Sequence, residues 1–209
     1  MLAVLRDRGW DVIGTERSDE ETIVATETTG IPILKGGLDR LVSSSFDLVI
    51  LFQVLEHMDD PAATLRRCSE LLKPGGSLVV SVPNASSWQA RAFARWWFHL
   101  DVPRHQHHFS TQALERALLN AQLRVMRKRF VSLEHDPFGL LQSALNWLGF
   151  RQNLLTRLLM GMSENDVSPF MLCAMCLTAS ALVVPSVLAS ICTWMLGSGA
   201  IQEMWAQKA

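Results

Sequence analysis

Phe46-Asp47-Leu48-Val49-Ile50-Leu51-Phe52 is a short apolar run carrying a single charge, entered from the polar Ser43-Ser44-Ser45. Runs of this length and composition read as strands buried on both faces. A cap and a first-turn proline, Asp59-Asp60-Pro61, then open a helix from Ala62 to Leu72, with Leu65, Cys68, Leu71 and Leu72 on its inward face. Lys73-Pro74-Gly75-Gly76 stops that helix. Ser77-Leu78-Val79-Val80-Ser81-Val82 begins a second apolar strand, closed by Pro83-Asn84 at the rim where open α/β sheets bind ligands. Strand, amphipathic helix, strand is the unit of a parallel sheet, and the segment from 46 to 84 sets the fold class as α/β.

The same alternation continues outward. On the N-terminal side, Leu2, Val4 and Leu5 precede a charged end and Gly9, as in the last turns of a helix. A strand is expected over 11–15, a helix from Asp19 to Thr29, and a short strand Ile31-Pro32-Ile33-Leu34 whose proline suits a sheet edge. On the C-terminal side, Ser110 and Thr111 offer caps for a helix through Ala121. Leu123 to Leu133 reads as a strand, and residues 200–206 alternate like another. There is no internal repeat and no low-complexity tract.

The 209 residues carry 19 Lys and Arg against 20 Asp and Glu, a balance that offers no general field for nucleic acid. The N-terminus lacks the layout of a signal peptide. Of the four cysteines, Cys173, Cys176 and Cys192 lie in an apolar run and Cys68 in a helix, a distribution unlike a secreted disulfide framework. The Cys173-x-x-Cys176 spacing has no second ligand pair and is expected as packing. A cytoplasmic, reducing setting is expected for the globular part.

The ordered set Phe46-Asp47-Leu48-Val49, Val54-Leu55-Glu56-His57, Asp60-Pro61, Leu71-Leu72-Lys73-Pro74-Gly75-Gly76-Ser77-Leu78 and Val82-Pro83-Asn84 resembles the post-cofactor half of class I S-adenosylmethionine (SAM) dependent methyltransferases. Trp97-Phe98-His99-Leu100-Asp101-Val102-Pro103-Arg104-His105 with His108-Phe109-Ser110 is similar to a bacterial subgroup linked to cell-surface sugar and lipid pathways. The resemblance implies a Rossmann-like, doubly wound, mostly parallel sheet with SAM across the carboxyl ends of its strands. It also implies site residues. Glu16 matches the acid that binds the ribose hydroxyls, and Leu38 and Asp39 lie near the adenine edge, where Gly37 stands in the place of the usual acid. Gln53 and Val54 flank the methionyl portion and the adenine face, with plain core packing as the other reading for the apolar members. No Gly-x-Gly loop precedes Met1, so the sheet is expected to lack its first, central strand and the chain to be N-terminally truncated. Two buried edges would then be left unpaired, each lost group costing about 1–3 kcal/mol. Residues 1–209 alone are accordingly expected neither to fold stably nor to bind SAM tightly.

Two histidines are the catalytic candidates. His57 follows Glu56 past the expected central strand and resembles a pair that in some relatives faces the acceptor or a metal, where it would deprotonate a hydroxyl acceptor; the other reading is a helix-start histidine tied to backbone. His105, within the His105-Gln106-His107-His108 cluster beside Arg104, either contacts the acceptor or caps structure. The cluster is not read as a metal site, because ligands at adjoining positions point apart and no cysteine or acid completes the shell. Trp88, Trp96 and Trp97 with Arg91 and Arg95 form either a nucleic-acid stacking patch or, better, a lid or membrane-facing helix.

No charged side chain occurs between Val167 and Gln202, and residues 170–196 exceed the roughly 20 needed to span a bilayer core. A buried soluble helix pair is the competing reading. Since both ends of 137–199 return to one sheet, the segment is expected as a hydrophobic helical hairpin turning near Pro185, dipping into one leaflet or packing on the domain. The expected organisation is an incomplete methyltransferase domain over 1–136, this insertion over 137–199, and a final strand over 200–209. Three function classes result. The first is a SAM-dependent methyltransferase of a small-molecule or lipid- or sugar-linked acceptor, at or near the inner membrane. The second is a non-catalytic membrane-associated remnant or binding module. A nicotinamide oxidoreductase is third, weakened because a chain with no tyrosine cannot supply a Tyr-Lys pair.

Overall fold

The computed structural model describes residues 1–16, 18–162 and 166–208. Two sheets form the frame. β1 (Gly14–Glu16) and β2 (Ile33–Lys35) pair in parallel, with Gly14 opposite Ile33. The second sheet has the order β3 (Phe46–Phe52), β4 (Leu72–Pro83), β6 (Ile201–Lys208), β5 (Leu123–Arg129). β3 and β4 are parallel, while β6 runs antiparallel to both β4 and β5.

The helices form where capping and periodicity ask for them. Ser18 caps α2 (Asp19–Thr29) and Gly30 ends it in the left-handed region. Asp60 accepts from the Ala63 amide at 2.9 Å to open α3 (Pro61–Leu71). Ser110 caps α5 (Thr111–Asn120). The core lies between α3, α5 and the four-stranded sheet, and includes Leu65, Cys68, Leu78, Val80, Leu114, Leu118, Leu123 and Met204. By contrast, neither α1 (Leu2–Arg6) nor α2 contains a buried residue.

Between β1 and β3 lies a slot of about 330 Å³, lined by Leu2, Leu5, Trp10, Ile13, Leu48 and Phe52 among others. No strand of the described residues occupies it. β3, expected as central, therefore borders the slot, and only Leu51 along it is fully buried.

The C-terminal insertion is a helical hairpin, but its turn is not at Pro185. α6 (His135–Trp147) packs against α8 (Pro169–Met195), which continues through Pro185, and short α7 (Leu154–Leu159) lies in the connection. A proline inside a helix forfeits one hydrogen bond and crowds the carbonyl four residues back, yet α8 is continuous through it. The requirement that both ends return to the sheet is met by the α6–α8 pair instead. Its open end is pinned by Asp136, whose carboxylate accepts from Trp194 Nε1 and, at 3.1 Å, from the Ile201 amide. Gly199 sits against this knot. A Cβ there would overlap the Phe130 carbonyl oxygen and lie 2.7 Å from Asp136 Oδ2. The tryptophan-rich stretch is also not one helix: α4 (Trp88–Phe93) is followed by single 3-10 turns, and Trp97 is buried whereas Trp88 is exposed.

Candidate active site

A cavity of about 530 Å³ opens at the carboxyl ends of β1, β2 and β3. Glu16 ends β1 and lines it. Beyond β2, Gly36 adopts a φ of 117°, available without strain only to glycine, and turns the chain into the 3-10 segment Leu38–Arg40. That segment places Leu38 and Asp39 on the wall, and Val54 and Met58 supply apolar surface from the loop after β3. Asp59, Asp60, Thr64 and Arg67 close the side formed by the start of α3. The wall thus carries several carboxylates and one guanidinium around apolar faces. Such an arrangement suits a ligand with hydroxyls, positive charge and a flat ring.

Arg67 holds this wall together, a role its helical position did not advertise. Its guanidinium donates to the Leu38 carbonyl at 3.4 Å, the Leu41 carbonyl at 2.6 Å, Ser43 Oγ at 2.8 Å and Glu70 at 3.0 Å. Four of the five anticipated cofactor positions, Glu16, Leu38, Asp39 and Val54, therefore meet on one cavity. Gln53 does not join them. Its φ is 53°, its amide donates to the Ser81 carbonyl at 2.9 Å, and its side chain donates to Ser81 Oγ at 3.2 Å. Those bonds tie Gln53 to β4.

His57 and His105 come together with their ring centroids 4.8 Å apart, and neither is among the residues that line the cavity. His57 belongs to the 3-10 turn Leu55–His57, between Val54 and Met58, which both line the cavity. Its Nδ1 lies 2.8 Å from the Arg104 carbonyl, and His105 Nδ1 lies 2.8 Å from the His99 carbonyl. A carbonyl only accepts, so each ring donates from Nδ1, which in a neutral imidazole places the lone pair on Nε2. Burial holds His105 below the usual imidazole range, and drives the fully enclosed His99 down to about 3. Of the other cluster members, the exposed His108 donates from Nε2 to the Leu100 carbonyl at 2.8 Å, and His107 is half-buried.

Glu56 is the residue that spacing alone undervalued. It is 1% exposed, and neither carboxylate oxygen has a hydrogen-bond partner. Burial pushes its carboxyl up to about 7, against the weaker opposing pull of its own nearby backbone amide and of His57. Its own carbonyl accepts from the amides of Gln106 and His107 at 3.0 and 3.2 Å, which fixes the 105–108 segment beside the turn. Glu56, His57 and His105 have ligand atoms all within 4.8 Å of one another and could hold a metal ion. The histidine cluster is completed by an acid distant in sequence, something adjacency within 105–108 could not show.

Comparison with known proteins agrees with this geometry. The family pattern of a methyltransferase domain matches residues 1–128. A ubiquinone biosynthesis O-methyltransferase of Xanthomonas oryzae pv. oryzae is 41% identical over 70 residues, covering 32% of this chain and 29% of that protein. Its counterpart in Xanthomonas axonopodis pv. citri is 50% identical over 42 residues, covering 20% and 18% respectively. The chain spans under a third of the length of these curated relatives. Among solved structures, a SAM-dependent methyltransferase from Archaeoglobus fulgidus superposes with a TM-score of 0.58 at 17% identity, covering 99% of this chain and 80% of the other. One from Methanosarcina mazei gives 0.57 at 14% identity, covering 98% and 85%. With the pattern matched over more than half its length and the fold shared, the chain belongs to the class I SAM-dependent methyltransferase family.

Proposed function

We propose that this chain is a SAM-dependent methyltransferase for a small-molecule acceptor with apolar character, methylated beside His57 and His105. The observation that carries the reading is the convergence of Glu16, Leu38, Asp39 and Val54 on one cavity at the carboxyl ends of three strands. The residues fit the adenosine end of SAM. Glu16 would accept from the ribose hydroxyls, Asp39 would face the adenine edge, and Leu38 and Val54 would sandwich the ring. SAM, when bound, supplies a methyl group on a sulfonium. The chain's task is then to place an acceptor atom in line and to take its proton. His57 is suited to that task, because its bond to the Arg104 carbonyl fixes the ring and, in the neutral imidazole, leaves Nε2 as the site that takes the proton. His105 is suited in the same way. The relatives named for ubiquinone biosynthesis favour a hydroxylated, apolar acceptor.

A membrane location supports the same acceptor class. Phe170, Leu177, Val184, Leu188, Ile191 and Met195 recur at helical spacing along one face of α8, and every one is at least 40% exposed. The opposite face, with Met175, Ala179, Ser186, Ser190 and Thr193, is buried. An uncharged stripe of this kind suits insertion into one leaflet, leaving the domain on the cytoplasmic side.

A non-catalytic membrane-associated module is the second reading, favoured by the slot between β1 and β3, which leaves one side of the cofactor cavity without a wall. Calorimetry with S-adenosylhomocysteine separates the two. Binding weakened at least tenfold by Glu16→Gln supports the enzyme, since one charge-assisted hydrogen bond accounts for that factor. Absence of binding by the chain, also when extended at its N-terminus by a strand and a glycine-rich turn, supports the module.

A further inference from the structure

We infer that the outer face of β5 and β6 is a docking surface for the anionic headgroups of a phospholipid bilayer, an inference that rests on the reading that α8 meets a membrane. The two strands carry Arg124, Arg127, Lys128, Arg129 and Lys208 against a single acid, Glu203, in a chain whose net charge is -1. Register decides where these charges go. Arg124 lies opposite Gln207, Arg127 opposite Trp205 and Arg129 opposite Glu203, and alternate residues 203, 205 and 207 share one face. In a regular strand, positions 124 and 127 would fall on opposite faces. The irregularity between Val125 and Arg127 turns both to the same side and leaves Met126 exposed. The other face sets Leu123, Val125, Met204 and Ala206 into the core, and Lys128, opposite Met204, pairs there with Glu115 of α5.

Three exposed arginines thus stand in a row, spaced about 7 Å apart, beside the partly exposed Trp205. Arg129 lies 4.0 Å from Glu203, which also accepts from Trp205 Nε1 at 2.8 Å. Among the described residues, Arg124 and Arg127 have no acidic partner. Neighbouring like charges repel, and phosphates offset that repulsion through the paired hydrogen bonds a guanidinium makes. What adjoins the row points to a bilayer as their source. Past Arg129 the chain runs through Phe130, the exposed Val131 and Leu133, and the exposed Glu134 into α6. A Cβ at Gly197 would lie 3.8 Å from the Phe130 ring, so the end of α8, with Met195 and Leu196 both exposed, meets the same corner. Arg127 precedes Phe130 by only about 10 Å of strand. Met195 is the last member of the α8 stripe, which makes the apolar surface and the arginine row continuous. Apolar side chains in the acyl region with arginine and tryptophan at headgroup level is the arrangement of an interfacial protein. A nucleic acid would use the charges and Trp205 but leave the apolar corner idle.

The test measures binding of the full chain to vesicles of phosphatidylcholine alone and to vesicles containing about a third phosphatidylglycerol, at about 0.1 M salt. One arginine near an anionic surface contributes about fivefold in affinity. The expected result is binding to both, at least about thirtyfold tighter on the anionic vesicles. Arg124→Gln, Arg127→Gln and Arg129→Gln should each remove about threefold to fivefold of that preference, and the triple change nearly all of it. Binding to phosphatidylcholine should be unchanged throughout, and Arg66→Gln, at an exposed position on α3, should have no effect on either. Should the triple variant lose its native circular dichroism, the single changes at Arg124 and Arg127 carry the comparison. Equal binding to the two vesicle types, or a preference that survives the triple change, overturns the arginine surface and leaves the α8 stripe standing. Binding to neither overturns both. A single-stranded oligonucleotide held more tightly than the anionic vesicles, and released by the triple change, overturns the lipid assignment in favour of nucleic acid.

Discussion

Asp136 holds three elements at one point, because its carboxylate serves Trp194 at the end of α8 and Ile201 at the start of β6 while itself beginning α6. Asp136→Ala strands two buried donors, so urea denaturation at pH 7 should show a loss of about 2–4 kcal/mol. Burial raises its carboxyl from 3.8 to about 6, a shift in favour of the protonated form. Between those values the folded state keeps a proton that the unfolded chain has released. Stability therefore falls as pH climbs from 4 to 6, by on the order of 3 kcal/mol from this group. The difference between wild type and Asp136→Ala should shrink over that window; a difference that grows with pH would place the charge in a polar environment instead. His99 contributes with the opposite sign, its folded value of about 3 lying below the ordinary 6.5, and it does so in both proteins, so it cancels in the comparison. None of this was legible from sequence. An Asp followed by proline looks like a helix start, and its partners come from 58 and 65 positions away. That Glu16, Leu38, Asp39 and Val54 share one cavity was legible, because each ends or follows a strand. Gln53 lies off that cavity, since it adopts a positive φ and bonds Ser81, and no pattern announces that turn.

At the scale of elements, α3 does two things at once. Its inner face supplies Leu65 and Cys68 to the core, and its Arg67 clamps the 38–43 segment that carries Asp39. Arg67→Ala should leave the helix folded but free that segment, weakening S-adenosylhomocysteine binding about threefold to tenfold with little change in circular dichroism. An unchanged affinity would mean that the wall is held by its backbone turn alone. α8 is the other element with two faces. Its small buried residues allow close approach to α6, while its outer stripe is left exposed. Leu177→Glu with Leu188→Glu should abolish co-sedimentation with vesicles of phosphatidylethanolamine and phosphatidylglycerol while leaving the far-ultraviolet spectrum intact. Retention on vesicles would assign the contact to another surface, such as Trp88 or Trp147, both exposed. Length and composition made the long helix legible. The position of the hairpin's turn was not, because a proline signals a turn in local reasoning but is carried here within a helix that tertiary packing supports on one side.

The whole molecule is unevenly consolidated, and the slot between β1 and β3 is where the difference begins. Beyond it, four strands pair continuously from β3 to β5 over a common core. Before it, Ile31, in the loop between α2 and β2, is the one fully buried large apolar side chain among the described residues of 1–45, and the β1–β2 pair ends at the slot. Local opening free energies scale with buried apolar contact and paired backbone, so the two parts should differ by several kcal/mol. Native-state hydrogen exchange at pH 7 reads this directly. Amides of Val79, Val80 and Met204 should exchange only through global unfolding, whereas those of Thr15, Glu16 and Leu34 should exchange at least a hundredfold faster. S-adenosylhomocysteine, contacting Glu16 and Leu38 from one side and Val54 from the other, should slow the fast group selectively, because its cavity is the shared boundary of the two sheets. Equal protection on both sides of the slot without ligand would mean that β1 and β3 are bridged in solution by a paired strand, and would move the weak point of the fold elsewhere.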